Sequence, residues 1–352
     1  MFQIRDAVGK TPVSLAFRGS LTMRAGLALG STVHSPSNGD LLTGTGGILR
    51  RGRFGVEGTI SPFVKTNFLV DFHDGFTPTE SKTPLALADA DFELILTKLR
   101  LGLSRVPFTR HAQVDETRQV FLEAPTGWRA DRLLLGRGPL TAMLPDRRPG
   151  VSLHDELDVF DYAIGFYSGG GPGSQESTAS GIFTGRLEVA PWGPPPREGA
   201  YFPADEEYGE ARVAFGVGGL SRSGPSGSTR AVSGAVTASY RGFFASVEAA
   251  VGEGSPRGID VNVGQRAFTA DLAWRFPWAF HGVELGARFD AWKVDRMFDR
   301  AADQKSLSVV ANVYLWRHRI KVGTLFRSLV DDADVTGRQV RNEGLADMTV
   351  GF

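Results

Sequence analysis

The side chains best placed to do chemistry in this sequence are arginines. Between Arg105 and Asp146 the chain carries Arg105, Arg110, Arg118, Arg129, Arg132 and Arg137, with Arg147 and Arg148 just beyond, and no lysine. Five acids there, Asp115, Glu116, Glu123, Asp131 and Asp146, do not balance them. A guanidinium stays charged and presents a planar fork of donors that suits carboxylate or phosphate. A connection this long is uncommon in a compact domain unless it has a function. It is either a solvated surface loop or a segment folded inward, where its charge meets a passing solute. Within it, Asp115–Glu123 reads as a short helix stopped by Pro125 and Gly127.

Other chemistries find less support. The six histidines (His34, His73, His111, His154, His281 and His318) are scattered without metal-ligand spacing. Neither a metal nor a cofactor is expected. Ser152 and His154 would share one strand face, as a hydrolase dyad does, but no supporting acid is placed by sequence. Gly169–Gly173 lacks the lysine and hydroxyl ending of a phosphate-cradling loop. The expectation is a protein that is not an enzyme.

The elements that would hold the arginines follow from period-two alternation. Phe268, Ala270, Leu272, Trp274 and Phe276 alternate with Thr269, Asp271, Ala273 and Arg275. Val283, Leu285, Ala287, Phe289 and Ala291 alternate with Glu284, Arg288, Asp290 and Trp292. Leu307, Val309, Ala311, Val313 and Leu315 do the same against Ser306, Ser308, Asn312 and Tyr314. Successive strand side chains point to opposite faces, so each segment has one apolar and one polar face. A soluble sandwich shares this pattern; the connections separate the two.

About sixteen strands can be counted, from residues 12–30 to residues 343–352, and their linkers alternate in length. Ser31–Leu49, Asp74–Ala88, Val106–Asp146, Gly169–Ala179, Gly254–Gly264, Val294–Gln304 and Asp331–Asn342 are long. Ser61–Pro62, Lys98, Asp155–Leu157, Arg241–Gly242, Pro277–Phe280 and Arg317 are short. An even strand count with tight turns at one end and longer loops at the other is the outer-membrane pattern. Pro191–Glu207 breaks it and is expected to protrude on the periplasmic side. Aromatics at strand ends (Tyr240, Phe243, Trp274, Trp278, Phe280 and Trp316) fit a membrane–water girdle.

Composition agrees. The chain has 352 residues, 39 basic and 39 acidic, so no net charge points to nucleic acid. Cysteine is absent, and no apolar run approaches the ~18 residues of a membrane helix. Met1–Lys10 does not read as a secretory signal, so export implies a processed or re-engineered chain.

From about Phe54 onward the sequence resembles the phosphate-selective porin O and P family. The resemblance is carried best by Gly102-Leu103-Ser104-Arg105-Val106-Pro107-Phe108, by Glu116–Glu123 and by Tyr162–Gly169. It implies a sixteen-stranded outer-membrane channel with an inward third loop, usually trimeric and anion-preferring. The lysine cluster tied to phosphate preference in that family has no clear counterpart here.

The combined expectation is one all-β domain over residues 1–352. It is a transmembrane antiparallel barrel in a bacterial outer membrane, with 105–146 as constriction loop and 191–207 as periplasmic protrusion. It passes small solutes, with anions favoured, phosphate among them. The residues expected to line the pore are Arg110, Arg118, Arg129 and Arg132 on the loop, and Arg186, Arg212 and Arg288 on the wall. Expected partners are outer-membrane lipid, small anionic solutes and two further copies in a homotrimer. The rival reading is a closed structural barrel that docks another envelope protein.

Overall fold

The protein is described by a computed structural model covering residues 2–5, 12–29, 45–61, 63–73, 85–94, 97–113, 120–121, 147–168, 180–193, 210–224, 227–256, 262–276, 282–297, 300–315, 320–333 and 337–351. A short strand β1 (Phe2–Arg5) precedes sixteen longer ones. These are β2 (Pro12–Leu29), β3 (Thr45–Ser61), β4 (Val64–His73), β5 (Leu85–Glu93), β6 (Lys98–Arg105), β7 (Arg147–Glu156), β8 (Phe160–Ser168) and β9 (Gly181–Val189) in the first half. The second half holds β10 (Arg212–Gly224), β11 (Gly227–Tyr240), β12 (Phe243–Pro256), β13 (Val263–Phe276), β14 (Gly282–Met297), β15 (Arg300–Leu315), β16 (Ile320–Ala333) and β17 (Gly337–Gly351).

Each long strand pairs antiparallel with the next, and β17 returns to β2 with Asn342 opposite Leu29 and Gly351 opposite Ser20. The pairing therefore closes into a sixteen-stranded ring, matching the count expected from alternation. β1 adds a short ladder on β2, Phe2 opposite Leu15, which the alternation did not flag. Closure leaves no strand edge to face lipid.

The ring is apolar outside and polar inside. Phe183, Phe215, Val232, Val247, Leu272, Leu285, Val309 and Phe326 are exposed on the outer surface. The residues beside them in sequence, among them Thr184, Ser233, Glu248, Asp271, Glu284, Ser308 and Arg327, are buried within. That inversion of a soluble core identifies a lipid-facing wall. Tyr240, Phe243, Trp274 and Trp192 are exposed at one end, where a girdle is expected. Trp278, Phe280 and Trp316 lie outside the described residues.

The Arg241–Gly242 turn lies at the same end. Arg241 and Gly242 take φ of 45° and 79°, as the two central residues of a type I′ hairpin require. Pro277–Phe280 and Arg317 lie outside the described residues, as do Ser31–Leu49 up to residue 44 and Asp74–Ala88 up to residue 84.

Several linkers are shorter than the sequence pattern implies. Gly254–Gly264, Val294–Gln304 and Asp331–Asn342 were expected to be long loops. Instead β12 runs to Pro256, β14 to Met297 and β16 to Ala333, and Met297 pairs with Arg300 and Ala333 with Gly337. Hydrophobic alternation ends where lipid ends, while the backbone ladder continues beyond it because each added pair still satisfies its own peptide groups. At the opposite end the turn is Leu94–Thr97, closed by Leu94 N–H donating to the Thr97 carbonyl at 2.8 Å, so Lys98 begins β6 instead of forming the turn. The turn expected at Asp155–Leu157 falls at residues 157–159, where Leu157 N–H donates to the Phe160 carbonyl at 2.9 Å.

Alternation alone marks Ala270 as a lipid-facing position and Thr269 as a tolerant lumen position. The structure keeps the first and corrects the second. Thr269 is 0% exposed and its hydroxyl donates to Asp290 at 2.8 Å. We expect Ala270→Arg to destabilise the folded barrel by about 2–4 kcal/mol if it reaches the bilayer midplane. Thr269→Arg should cost about 1–3 kcal/mol through overpacking. Asn67→Arg, on the partly open inner wall of β4, should stay within about 0.5 kcal/mol. Urea titrations of the barrel in lipid vesicles measure all three; an Ala270→Arg cost no larger than that of Asn67→Arg would remove the lipid face.

Candidate functional site: a loop anchored inside the barrel

After β6 the chain enters the lumen. Val106, Phe108, Thr109, Arg110 and His111 are all buried. They pack on inward side chains that break the polar rule, including Tyr167, Ile182, Leu220, Ala250 and Trp292. The exposed backbone of this segment is met by the wall. Thr184 Oγ1 donates to the Pro107 carbonyl at 2.7 Å, and Ser233 Oγ to the Phe108 carbonyl at 2.8 Å. Gly218 makes the approach possible: a Cβ there would stand 2.1 Å from the Phe108 oxygen.

One helical turn, α1 (Arg110–Gln113), follows. Arg105 Nη1 donates to the Gln113 carbonyl at 2.5 Å, and Gln113 Nε2 to the Val106 carbonyl at 2.8 Å, so the turn is tied to the end of β6. Glu248, on the inner face of β12, accepts the backbone N–H of Arg110 at 2.6 Å and of His111 at 3.1 Å.

His111 is the centre of this attachment. Its Nδ1 is 2.6 Å from Glu248 Oε2 and its Nε2 is 3.1 Å from Asp271 Oδ2. Ionised carboxylates only accept, so both ring nitrogens carry hydrogen and the ring is an imidazolium. Asp271 is held in turn by Arg288, through Nε at 2.6 Å and Nη2 at 2.9 Å. Arg186 bonds Glu188 and lies 3.9 Å from Glu248. The cluster sets His111, Arg186 and Arg288 against Glu188, Glu248 and Asp271. Charges this deep are tolerable only when paired, and here the signs balance. Burial works against the His111 cation, but the two carboxylates outweigh it and hold its pKa above the ordinary value.

A second anchor lies further along. Asn312 Nδ2 donates to the Val120 carbonyl at 2.7 Å, and Lys321 Nζ at 3.3 Å. The Arg288 guanidinium lies 4.1 Å from the centre of the Phe121 ring. Val120 and Phe121 pack with Phe244, Val310, Leu325 and Leu345. Of the helix expected over Asp115–Glu123, only Val120 and Phe121 are described, and those two are not helical. The helical turn is Arg110–Gln113, and Val120–Phe121 is a bend whose carbonyl is given to the wall instead of to a helix. Residues 114–119 and 122–146 lie outside the described residues.

The expected site residues therefore separate. Arg186 and Arg288 approach Glu248 and Asp271 with their guanidinium groups, while Arg110 meets Glu248 through its backbone N–H; Arg110 is 4% exposed and Arg288 3%. They are under or within the loop, not on an open water face. Arg212 lies apart, near the girdle end of β10, with Nη2 3.4 Å from Glu210. Arg118, Arg129 and Arg132 lie outside the described residues. The sequence reading missed His111, whose partners are 137 and 160 residues away. A usable signal was present on the wall, where Glu248 and Asp271 fall on the polar parity while Trp292 breaks it.

The other inner wall is more open. Glu57 and Lys65 are exposed there, and Asp89, Asp91, Glu93 and Arg100 partly so. Lys65 is 3.4 Å from Glu93, and Arg100 clasps Asp91 through two 2.7 Å bonds. His154 meets Arg100 at 3.3 Å and Asp91 at 3.6 Å. Among the described residues no bond joins Ser152 to His154, and no group of three metal-ligating side chains occurs.

No family model matches the chain, and no curated protein does. Solved structures do match its fold. An anion-selective porin from Comamonas acidovorans is 13% identical with a TM-score of 0.62, over 97% of this chain and 100% of that one. A loop-deletion form of OmpT, an outer membrane protein of Vibrio cholerae, is 11% identical with a TM-score of 0.61, over 97% and 99%. The outer membrane channel DcaP of Acinetobacter baumannii is 12% identical with a TM-score of 0.59, over the full length of both. The shared fold and the lipid-facing wall make this chain an outer-membrane β-barrel with a porin-like fold.

The attachment has testable consequences. Gly218→Val should push Phe108 off the wall, and trypsin should then cut within residues 105–146 faster than in the parent barrel. Undiminished protection would mean that Gly218 does not seat the loop. A raised His111 pKa means that protonation stabilises the seated loop. That contribution is complete below the free value of ~6.5 and is lost as pH rises through the seated value. Amide exchange at Arg110 and His111 should accelerate with pH beyond the intrinsic rate. His111→Gln should remove that excess dependence.

Proposed function

We propose that this protein is a passive diffusion porin for small solutes and that it prefers anions. The observation that carries the channel reading is the third connection seated inside a closed barrel with a polar interior. Its described residues, 106–113 and 120–121, lie against β9–β16, while inner side chains on β3–β5 such as Glu57 and Lys65 are exposed. Segments seated so on one side of the wall narrow the lumen from that side. No bond is made or broken in this reading, and no cofactor is needed.

The anion preference rests on the arginines of residues 105–146 and on the likeness in fold to a porin described as anion-selective. Arg or Lys lining a narrow passage attracts anions and repels cations. Arg186 and Arg288 contribute little to such a field because each is bonded to a carboxylate. Selection must then come from the loop, with Arg118, Arg129 and Arg132 the leading positions. Phosphate is one small anion that fits; the relation to phosphate-selective porins rests on the sequence around Leu101–Gly169. The more open inner wall favours a second reading, cation preference, since Glu57, Asp89, Asp91 and Glu93 outnumber Lys65 and Arg100 there.

Reversal potentials across a planar bilayer under a KCl gradient decide between them. We expect a chloride-side potential that shrinks as salt screens the loop, and a shift toward the cation side in Arg118→Ala/Arg129→Ala. A cation-side potential in the parent protein would favour the second reading. A barrel without conductance would instead support a structural anchor, for which Pro191–Glu207 is the proposed docking segment. Of that segment Pro191, Trp192 and Gly193 are described and exposed. The proposal includes a homotrimer; mass measurement in mild detergent should return three chains, and a monomer across several detergents would remove it.

A further inference from the structure

Both attachments of the third connection rest on one line of the wall, the inner face of β14, which runs Glu284, Gly286, Arg288 and Asp290. Glu284 accepts the Tyr314 hydroxyl at 2.9 Å and Asn312 Nδ2 at 2.8 Å. The same Asn312 amide donates to the Val120 carbonyl at 2.7 Å. Gly286 lies under Val120, whose Cγ1 would stand 3.1 Å from a Cβ there. Arg288 clasps Asp271 through Nε at 2.6 Å and Nη2 at 2.9 Å, and its guanidinium lies 4.1 Å from the centre of the Phe121 ring. Asp271 also accepts His111 Nε2 at 3.1 Å. Asp290, the next inward carboxylate, accepts the hydroxyls of Thr269 and Ser306 at 2.8 and 3.0 Å.

Arg288 therefore bonds the carboxylate of one attachment and covers the ring of the other. A two-pronged clasp fixes the plane of a guanidinium as well as its position. A cation held against an aromatic ring gains most where water is excluded, and Arg288 is buried.

With His111 seated, Asp271 is held from two sides, and the fork that it holds is fixed with it. Without His111, water reaches Asp271 and offers it other donors, so the guanidinium over Phe121 loses its fixed partner. The reverse holds as well. Without Phe121 the guanidinium opens to water, and the carboxylate under His111 loosens. Each attachment strengthens the other, and by linkage the two effects are equal in size.

We propose that Arg288 couples the two attachments, so that residues 106–113 and 120–121 seat and unseat together. Arg288 is then a positioning residue, which acts on a solute only through the segment it holds. The inference rests on contacts between that segment and the wall, and it stands whether or not the barrel conducts. The test uses the folded full-length barrel in detergent micelles with a fluorinated phenylalanine at position 121. Fluorine NMR then separates seated from free rings, at a temperature where both are populated. His111→Ala should lower the seated-to-free ratio at Phe121 by about tenfold. In Arg288→Met the same substitution should change the ratio by less than about twofold. Arg288→Met leaves Asp271 short of a partner, so Arg288→Met/Asp271→Asn, which removes both charges together, gives a second background for the same measurement. It should show the same small response. With the label at Phe108 instead, Phe121→Ala should lower the ratio there about tenfold in the parent. The proposal fails if His111→Ala leaves Phe121 seated in the parent barrel, which would make the attachments independent. It also fails if the response is undiminished without Arg288, which would assign the coupling to the chain between them.

Discussion

A peptide group in hydrocarbon has no water to bond, so every strand that crosses must find both its neighbours within the chain. That requirement organises the rest of the molecule. It forces the ring to close from β17 back to β2, and closure creates an interior that the lipid cannot reach. Polar and charged side chains then have only one direction in which to point. The inversion of polarity between the two faces, with Leu272 48% exposed while Asp271 is buried beside it, follows from that requirement.

An interior lined by ionisable groups creates a second requirement, that of charge balance. The wall meets it locally, Arg288 against Asp271 and Arg186 against Glu188. What remains over is used to seat the third connection. Glu248 takes two backbone N–H groups and one imidazole N–H, and Asp271 takes the other. The wall under the loop is thus both an electrostatic sink and a mount. Small residues complete the mount, since any side chain at Gly218 would occupy the place of the Phe108 carbonyl.

The halves of the barrel divide these duties. β4–β9 are short and are joined at one rim by long connections, while β10–β17 are long and joined by tight hairpins. The long half carries most of the buried inner wall against which the loop rests.

Much of the fold was legible in the sequence because its cause is local. Period two, the parity of faces such as Phe268 against Thr269, and the strand count all follow from one chain segment meeting two solvents. Strand ends beyond the membrane were not legible, as Met297 and Ala333 show, because a backbone ladder extends without any hydrophobic signature. The arginines of residues 105–146 could be seen as a cluster. Which cations are free and which are spent could not, because pairing is set by atoms brought together from distant strands. His111 is the clearest case: nothing near it in sequence distinguishes it from the other five histidines. The sequence by itself determined a closed, inside-out barrel with an arginine-rich third connection, since alternation and chain length suffice for that. Only the tertiary structure decided where that connection is held, because Glu248 and Asp271 reach His111 only after β12 and β13 have paired and the ring has closed over them.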